Sequence, residues 1–274
     1  MKAGFIGYGS MGSMLVNKFI EYGALKPEDI IVSTRTRSKL DELKTSWNGI
    51  HIADSNVEIV KKAKYIFICV KPLEVRNILA EIRDDLTQNS NIIYIAGSVR
   101  IKSVEAAAFK KVTKIIPSLT SEIAAGMTLV CHGSGVGADE ADYIDSLFNK
   151  ISIVKRISED DMALSTELTS CMPGLIASIF KEMSDSARRH NNSLNDSDID
   201  EMIRETLYGT SKLLRDRKMS FEEVVSRVAT KGGITEEGVK VFESQLPAVF
   251  DDMFRVTLEK RNLVNKKVED VFNG

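Results

Sequence analysis

Ala3-Gly4-Phe5-Ile6-Gly7-Tyr8-Gly9-Ser10-Met11-Gly12 is a short apolar run ending in Gly7-x-Gly9-x-x-Gly12, and Ser13-Met14-Leu15-Val16 continues it at helical spacing. Physically this is a strand, a tight turn and the first turn of a helix. Gly7 permits the turn, Gly9 leaves open the place where a Cβ would stand, and Gly12 lets the helix pack close to the strand. The free N–H groups and positive dipole end at the start of such a helix attract an anion. The pattern predicts a site for the pyrophosphate of a dinucleotide.

The rest of the first half repeats that alternation. Strands are expected at Ala3–Ile6, Ile30–Ser33, Ile50–Ala53, Tyr65–Val70, Ile92–Ala96, Lys114–Ile116, Met127–Cys131 and Ile151–Val154. Helices are expected at Met11–Tyr22, Ser38–Ser46, Asn56–Lys62, Leu73–Leu86, Ile101–Phe109 and Asp139–Lys150. Such an order predicts a mostly parallel sheet covered on both faces. Tyr65–Val70 is apolar throughout, as a strand buried on both faces should be, and Lys71-Pro72 ends it.

From Ser158 onward the strand signals stop. Ser158-Glu159-Asp160-Asp161 reads as a helix N-cap, and Leu164, Leu168, Cys171, Leu175, Ile179 and Met183 then recur at helical spacing. Cys171–Phe180 is apolar nearly all round, which predicts a helix buried on more than one side, with a kink or close packing at Pro173. A second helix is expected over Ile199–Arg215, a capping box at Ser220-Phe221-Glu222-Glu223, and Pro247 at a first helical position before the stripe Phe250, Phe254, Leu258. The fold class expected is α/β: an N-terminal Rossmann dinucleotide-binding domain over residues 1–157 and an all-α C-terminal domain over 158–274. The apolar helix surface at 171–180 and 250–258 exceeds what a small helical appendage hides, so these helices are expected to build a homodimer or a higher assembly of dimers, with the active site near the dimer contact.

Composition narrows the function classes. A chain of 274 residues with 43% hydrophobic and 28% charged residues is ordinary for a globular protein, and a net charge of -2 gives no reason to expect nucleic acid. No uninterrupted apolar run approaches the roughly 20 residues that span a bilayer, and glycines break the first apolar stretch too early for a signal peptide. Cys69, Cys131 and Cys171, like His51, His132 and His190, are scattered without ligand spacing. A cytoplasmic, metal-free protein with no membrane partner is expected.

The second strand ends Ile31-Val32-Ser33-Thr34-Arg35-Thr36-Arg37-Ser38-Lys39 and lacks the acid that usually holds the ribose hydroxyls of NAD. Hydroxyls and cations suit a 2′-phosphate instead, so NADP is the expected cofactor, with Ser33, Thr34 and Arg35 as its readers and NADH bound more weakly. Arg37 and Lys39 either join that cluster or solvate a helix start. Further along, Thr230-Lys231-Gly232-Gly233-Ile234-Thr235-Glu236 lies between helices. With Thr235 as an N-cap, the amides of Gly233 and Ile234 would form a nest for a carboxylate; alternatively the glycine pair is a helix C-cap and loop.

Together these residues resemble the pyrroline-5-carboxylate reductase family over nearly the whole chain. Gly7-Tyr8-Gly9-Ser10-Met11-Gly12 is similar to its glycine turn and Ser33-Thr34-Arg35 to its phosphate-reading strand end. Asn56 falls near the adenosine ribose, Val70-Lys71-Pro72 beside the nicotinamide half, and Ala96-Gly97 at the family's Ala-Gly turn. Gly232-Gly233-Ile234-Thr235 resembles the family's Gly-Gly-x-Thr. The resemblance implies that Thr230, Lys231, Gly232, Gly233, Ile234 and Thr235 bind the substrate carboxylate, with Thr235 near the ring nitrogen as the catalytic residue. The implied reaction is hydride transfer from NADPH to the imine carbon of 1-pyrroline-5-carboxylate, giving L-proline. Departures cluster at the substrate end: Ile116-Pro117-Ser118-Leu119-Thr120, Ser170-Cys171-Met172-Pro173-Gly174-Leu175, Lys231 and Glu167. The Ser-Cys-x-Pro and Lys-Gly-Gly-x-Thr-x-Glu-Gly runs resemble a divergent branch encoded beside late-competence genes. Reduction of another small imine or keto acid, or a regulatory role with little turnover, are the alternatives.

Overall fold

The computed structural model describes residues 2–107, 111–191 and 193–273. The chain divides into two compact units, Met1–Pro173 with Thr257–Gly274, and Gly174–Val256. The last strand ends at Arg156, within the first of these units.

Among the described residues eight strands form one sheet: β1 (Ala3–Ile6), β2 (Ile30–Ser33), β3 (His51–Ile52), β4 (Tyr65–Ile68), β5 (Asn91–Tyr94), β6 (Val112–Ile116), β7 (Met127–His132) and β8 (Ile153–Arg156). Their order is β3-β2-β1-β4-β5-β6-β7-β8, and only the β6–β7 pair is antiparallel. Helices α1 (Ser10–Glu21), α2 (Ser38–Ser46), α3 (Asn56–Lys62), α4 (Val75–Ile82), α5 (Ile101–Ala107) and α6 (Ala138–Phe148) connect the strands. The expected end of α5 at Phe109 lies outside the described residues.

The unbroken apolar run of β4 has its expected cause. Tyr65 and Phe67 pack into one core with Phe5, Phe19 and Phe148, while Ile66 and Ile68 join Leu79, Ile82 and Tyr94 on the other face. Phe5 and Phe67 stack with ring centres 4.5 Å apart, and Phe19 meets Phe148 edge-on at 5.1 Å. Strand order runs outward one way from β1 to β3 and the other way from β4. This reversal places a crevice beyond the carboxyl ends of β1 and β4, the usual seat of a ligand in such sheets.

The helical part differs in detail from the expected pattern. Ser158 and Asp161 do bond reciprocally, with Ser158 Oγ donating to Asp161 Oδ2 at 2.7 Å and accepting from Asp161 N at 3.1 Å. They close a turn, however, and α7 (Met162–Thr166) starts after it. Between α7 and α8 (Met172–His190) lies one π-helical turn, Glu167–Cys171, immediately before Pro173, where a kink or close packing was expected. Last, Pro247 does not open a helix. It sits inside α11 (Ile234–Asn273), because the helix already begins at the Gly232-Gly233 turn and the loss of one N–H leaves the bonds on either side intact.

The Gly174–Val256 unit also contains α9 (Asp196–Asp216) and α10 (Phe221–Val228). The capping box forms as expected: Ser220 Oγ accepts from Glu223 N at 3.1 Å, and Ser220 N donates to Glu223 Oε2 at 2.6 Å. Yet within this unit only Ser184 and Ile199 are buried among the described residues. The 171–180 stretch, expected to be buried on more than one side, leaves Ile176 and Ile179 exposed in the single chain.

Candidate cofactor and substrate sites

The crevice beyond β1, β2 and β4 is a cleft of about 690 Å³ lined by Gly7, Tyr8, Gly9, Ser33, Thr34, Arg35, Asn56, Val70 and Lys71. The three glycines have separate reasons to be there. Gly7 has φ +99, and a Cβ on it would meet the Cys69 carbonyl oxygen at 2.8 Å. A Cβ on Gly12 would lie 2.3 Å from the Gly7 oxygen, so helix and strand could not approach as they do. At Gly9 a Cβ would meet nothing within 4 Å, so the open space there is room for a ligand rather than for protein. Gly9 is the N-cap of α1, no acid stands in the first helical turn, and the Ser10, Met11 and Gly12 amides have no intrahelical acceptor. This cradle fits a pyrophosphate.

Other residues expected at the cofactor take different places. The Met11 side chain packs against the core, and Gly12 is buried behind the turn. Pro72 starts a short 3-10 turn, Pro72–Glu74, and Ala96 is a core residue. Ser33 Oγ bonds Asn56 Oδ1 at 2.6 Å, and Asn56 Nδ2 donates to Glu81 Oε2 at 2.8 Å. Asn56 is held at the start of α3, where Ser55 caps the helix by accepting from Glu58 N at 3.2 Å. Beneath the turn, burial pushes the Cys69 thiol up to about 12, which leaves it an inert packing group.

Sequence reading missed the acids. Arg35 bonds Glu74, Arg37 bonds Asp54 at 2.9 Å, and all four line the same cleft with Glu81. Each acid lies on a later segment than its partner, so no local spacing announces the pairs.

Gly97 lines a second, polar cavity of about 210 Å³ in the same unit, with Arg100, Lys114, Glu159 and Arg261. Lys114 is buried on β6 and its Nζ bonds Glu159 Oε1 at 3.0 Å, while Glu159 also accepts from Ile101 N at 2.9 Å. Burial pulls the Lys114 ammonium below its ordinary range, and Glu159 opposes that shift. Arg261 donates through Nε at 3.0 Å and Nη2 at 2.5 Å to Oε1 of the buried Glu167. Among the described residues, no three His, Cys, Asp or Glu side chains gather as a metal site.

The glycine loop of the Gly174–Val256 unit differs from expectation in detail. Gly232 has φ +76, as a tight turn requires, and its N–H donates to Glu236 Oε2 at 2.7 Å. The Gly233 amide, expected to be free, donates to the Thr230 carbonyl at 2.8 Å. Thr235 is not the N-cap: α11 begins at Ile234, which places Thr235 in the first helical turn, because the Gly232-Gly233 turn and the Glu236 carboxylate already cap it. The amides of Ile234, Thr235 and Glu236 are those without an intrahelical acceptor. Thr230, Lys231 and Thr235 are exposed.

A doubly covered sheet with a glycine cradle at its switch point, followed by a helical unit, defines a dinucleotide-dependent oxidoreductase. The family model described as "NADP oxidoreductase coenzyme F420-dependent" matches residues 2–98, and that described as "Pyrroline-5-carboxylate reductase dimerisation" matches 159–263. Pyrroline-5-carboxylate reductase 3 of Bacillus subtilis is 36% identical over 97% of this chain and 97% of its own length. ComE operon protein 4 of the same organism is 32% identical, covering 94% of each. A Coxiella burnetii pyrroline-5-carboxylate reductase superposes with a TM-score of 0.84 at 24% identity, covering 97% of this chain and 98% of its own. The NADP-bound pyrroline carboxylate reductase of Plasmodium falciparum gives 0.83 at 20%, covering 99% and 98%. The chain belongs to the pyrroline-5-carboxylate reductase family.

Proposed function

We propose that this protein reduces 1-pyrroline-5-carboxylate to L-proline with NADPH. The observation that carries the reading is the cleft itself, which gathers a glycine cradle, the Ser33-Thr34-Arg35 strand end and Asn56 into one space. When bound, the cofactor supplies a hydride to the carbon of the protonated imine, whose nitrogen keeps its proton as the amine. The amides at the start of α1 hold the pyrophosphate, and Ser33, Thr34 and Arg35 take the 2′-phosphate, so NADH binds more weakly. Lys71 and Gly97 stand toward the reactive half. In the helical unit, Lys231 and the Ile234 and Thr235 amides take the substrate carboxylate, and Thr235 Oγ1 orients the ring nitrogen. The work is positioning, which needs no side-chain acid of unusual strength.

A homodimer, in the cytoplasm, completes the proposal. A unit of this size with two buried residues among those described does not hold itself together by its own core, and a second copy covering Ile176, Ile179, Met183 and Phe242 supplies one. The run Met162–His190 is long and apolar enough to cross a membrane by length and composition alone, with 11% of its most apolar window buried. Its exposed face is the surface assigned here to the second copy.

NADPH oxidation by the purified protein with pyrroline-5-carboxylate, alongside a separate NADPH binding isotherm, tests the reading. Turnover with competitive inhibition by proline is the expected result. NADPH binding without turnover or proline inhibition overturns the substrate. A second reading, reduction of a different small imine, is favoured by one observation: two residues that depart from the family pattern, Ser118 and Ser170, tie the two departing stretches together through the Thr169 and Pro117 carbonyls. Turnover of other cyclic imines but not of pyrroline-5-carboxylate would establish it.

A further inference from the structure

In the cofactor cleft, the cation assigned to the 2′-phosphate already has an anion of its own. Glu74 Oε1 accepts from Arg35 Nη2, while Glu74 Oε2 accepts from Lys71 N at 3.3 Å. The acid is thus fixed to its own turn, and its side chain is 32% exposed against 88% for Arg35. Arg35 is the free-swinging member of the pair, and Glu74 sets where it rests. We infer that Glu74 is a specificity-determining residue: an internal competitor for the guanidinium that limits how far the cleft prefers a phosphorylated ribose. The inference rests on the reading of Ser33-Thr34-Arg35 as the 2′-phosphate site.

The physical consequence falls on one cofactor only. To bind a 2′-phosphate, Arg35 must exchange the carboxylate for it, and Glu74 stays nearby as a second anion. An unphosphorylated ribose asks for neither change, because the Arg35–Glu74 pair remains neutral and intact. Arg37 is held by Asp54 in the same way, so no uncompensated arginine waits at this strand end. Glu74 therefore narrows the gap between NADPH and NADH that Arg35 opens. Exposed ion pairs are weak, so the expected size of the effect is about two- to fivefold.

The test is a set of dissociation constants for NADPH and NADH, read by nucleotide fluorescence on the purified full chain. The proteins are wild type, Glu74→Gln, Arg35→Ala and the double variant, with thermal unfolding as the fold control. Glutamine keeps an acceptor for Lys71 N, so the Pro72–Glu74 turn stays formed. Glu74→Gln is expected to tighten NADPH about two- to fivefold and leave NADH unchanged. In the Arg35→Ala background the same change is expected to give a smaller gain, because only the repulsion between Glu74 and the phosphate is left to relieve. Unchanged NADPH affinity in Glu74→Gln, or equal tightening of both nucleotides, overturns the inference while leaving the 2′-phosphate reading standing. Unchanged NADPH affinity in Arg35→Ala overturns both.

Discussion

Ser118 Oγ donates a hydrogen bond to the Thr169 carbonyl at 3.1 Å. Thr169 lies four residues before Pro173, and proline has no N–H to offer the carbonyl at that spacing. The hydroxyl supplies the missing donor from the loop after β6. One residue along, Ser170 Oγ donates to the Pro117 carbonyl at 2.9 Å, so loop and π turn are stitched twice. The serines at 118 and 170 and the proline at 173 thus form one device.

Ser118→Ala is therefore expected to destabilise the protein by about 1 kcal/mol, the cost of a part-buried acceptor left without a donor. Pro173→Ala returns an N–H to the helix, and in that background the cost of Ser118→Ala should fall by at least half. Denaturant titrations of the four proteins read the coupling. Strict additivity would separate the two residues.

How much was legible follows from the range of the interaction. The glycine turn and the apolar β4 run could be read because each answers to its own backbone and nearest strands. The Arg35–Glu74 bond joins residues 39 apart and the Arg261–Glu167 bond residues 94 apart, which no periodic pattern encodes. Pro247 misled for the opposite reason. Its local preference for a first turn yields to a helix already started at Ile234.

Gly9 and Gly12 should respond differently to the same substitution. Gly12→Ala puts a methyl group 2.3 Å from the Gly7 carbonyl oxygen, against backbone that cannot swing aside. A loss of about 2 kcal/mol or more is expected, as for other overpacked sites. Gly9→Ala meets no protein atom within 4 Å, so its melting temperature should stay within a degree or two of wild type. Its NADPH affinity should nevertheless fall about tenfold or more, a loss of about 1.4 kcal/mol. Calorimetry beside binding isotherms checks both, and a Gly9→Ala protein with unchanged affinity would count against the cradle.

His132 links β7 to α6, with Nδ1 2.9 Å from Thr113 Oγ1 and Nε2 3.1 Å from Asp145 Oδ1. Burial pulls its pKa down, the Asp145 carboxylate opposes that pull, and Arg156 adds to it while Asp142 opposes it. A histidine whose folded pKa lies below the unfolded value of about 6.5 takes up its proton more readily once unfolded. Its stabilising contribution is complete above that pH and is lost as pH falls through it, levelling off below the folded pKa. Melting temperature should decline between about pH 7 and pH 5.5. His132→Gln should flatten that part of the profile, and an unchanged slope would assign the decline to other groups.

Glu167 and Arg261 form a buried pair, with the two side chains 4% and 16% exposed. Removing one partner strands the other's charge, so Arg261→Ala should cost about 3–5 kcal/mol. Replacing both by residues of similar volume, Glu167→Leu with Arg261→Met, should recover most of that loss, because desolvation offsets much of the pair's attraction. Urea midpoints measure the three variants. A double variant as unstable as Arg261→Ala would show that the arginine's packing matters more than its charge.

Thr235→Ala tests the substrate loop apart from the cofactor. Thr235 is exposed in the first turn of α11, in the unit that does not carry the nucleotide cleft, so NADPH affinity should stay within about twofold of wild type. Turnover of pyrroline-5-carboxylate should fall by about ten- to a hundredfold, the effect of losing one hydrogen bond to a charged group worth about 1.5–3 kcal/mol. Lys231→Pro, the residue usual in the family, should preserve activity if the amides alone hold the carboxylate. Loss of activity there, with folding intact, would assign carboxylate binding chiefly to the Lys231 ammonium group.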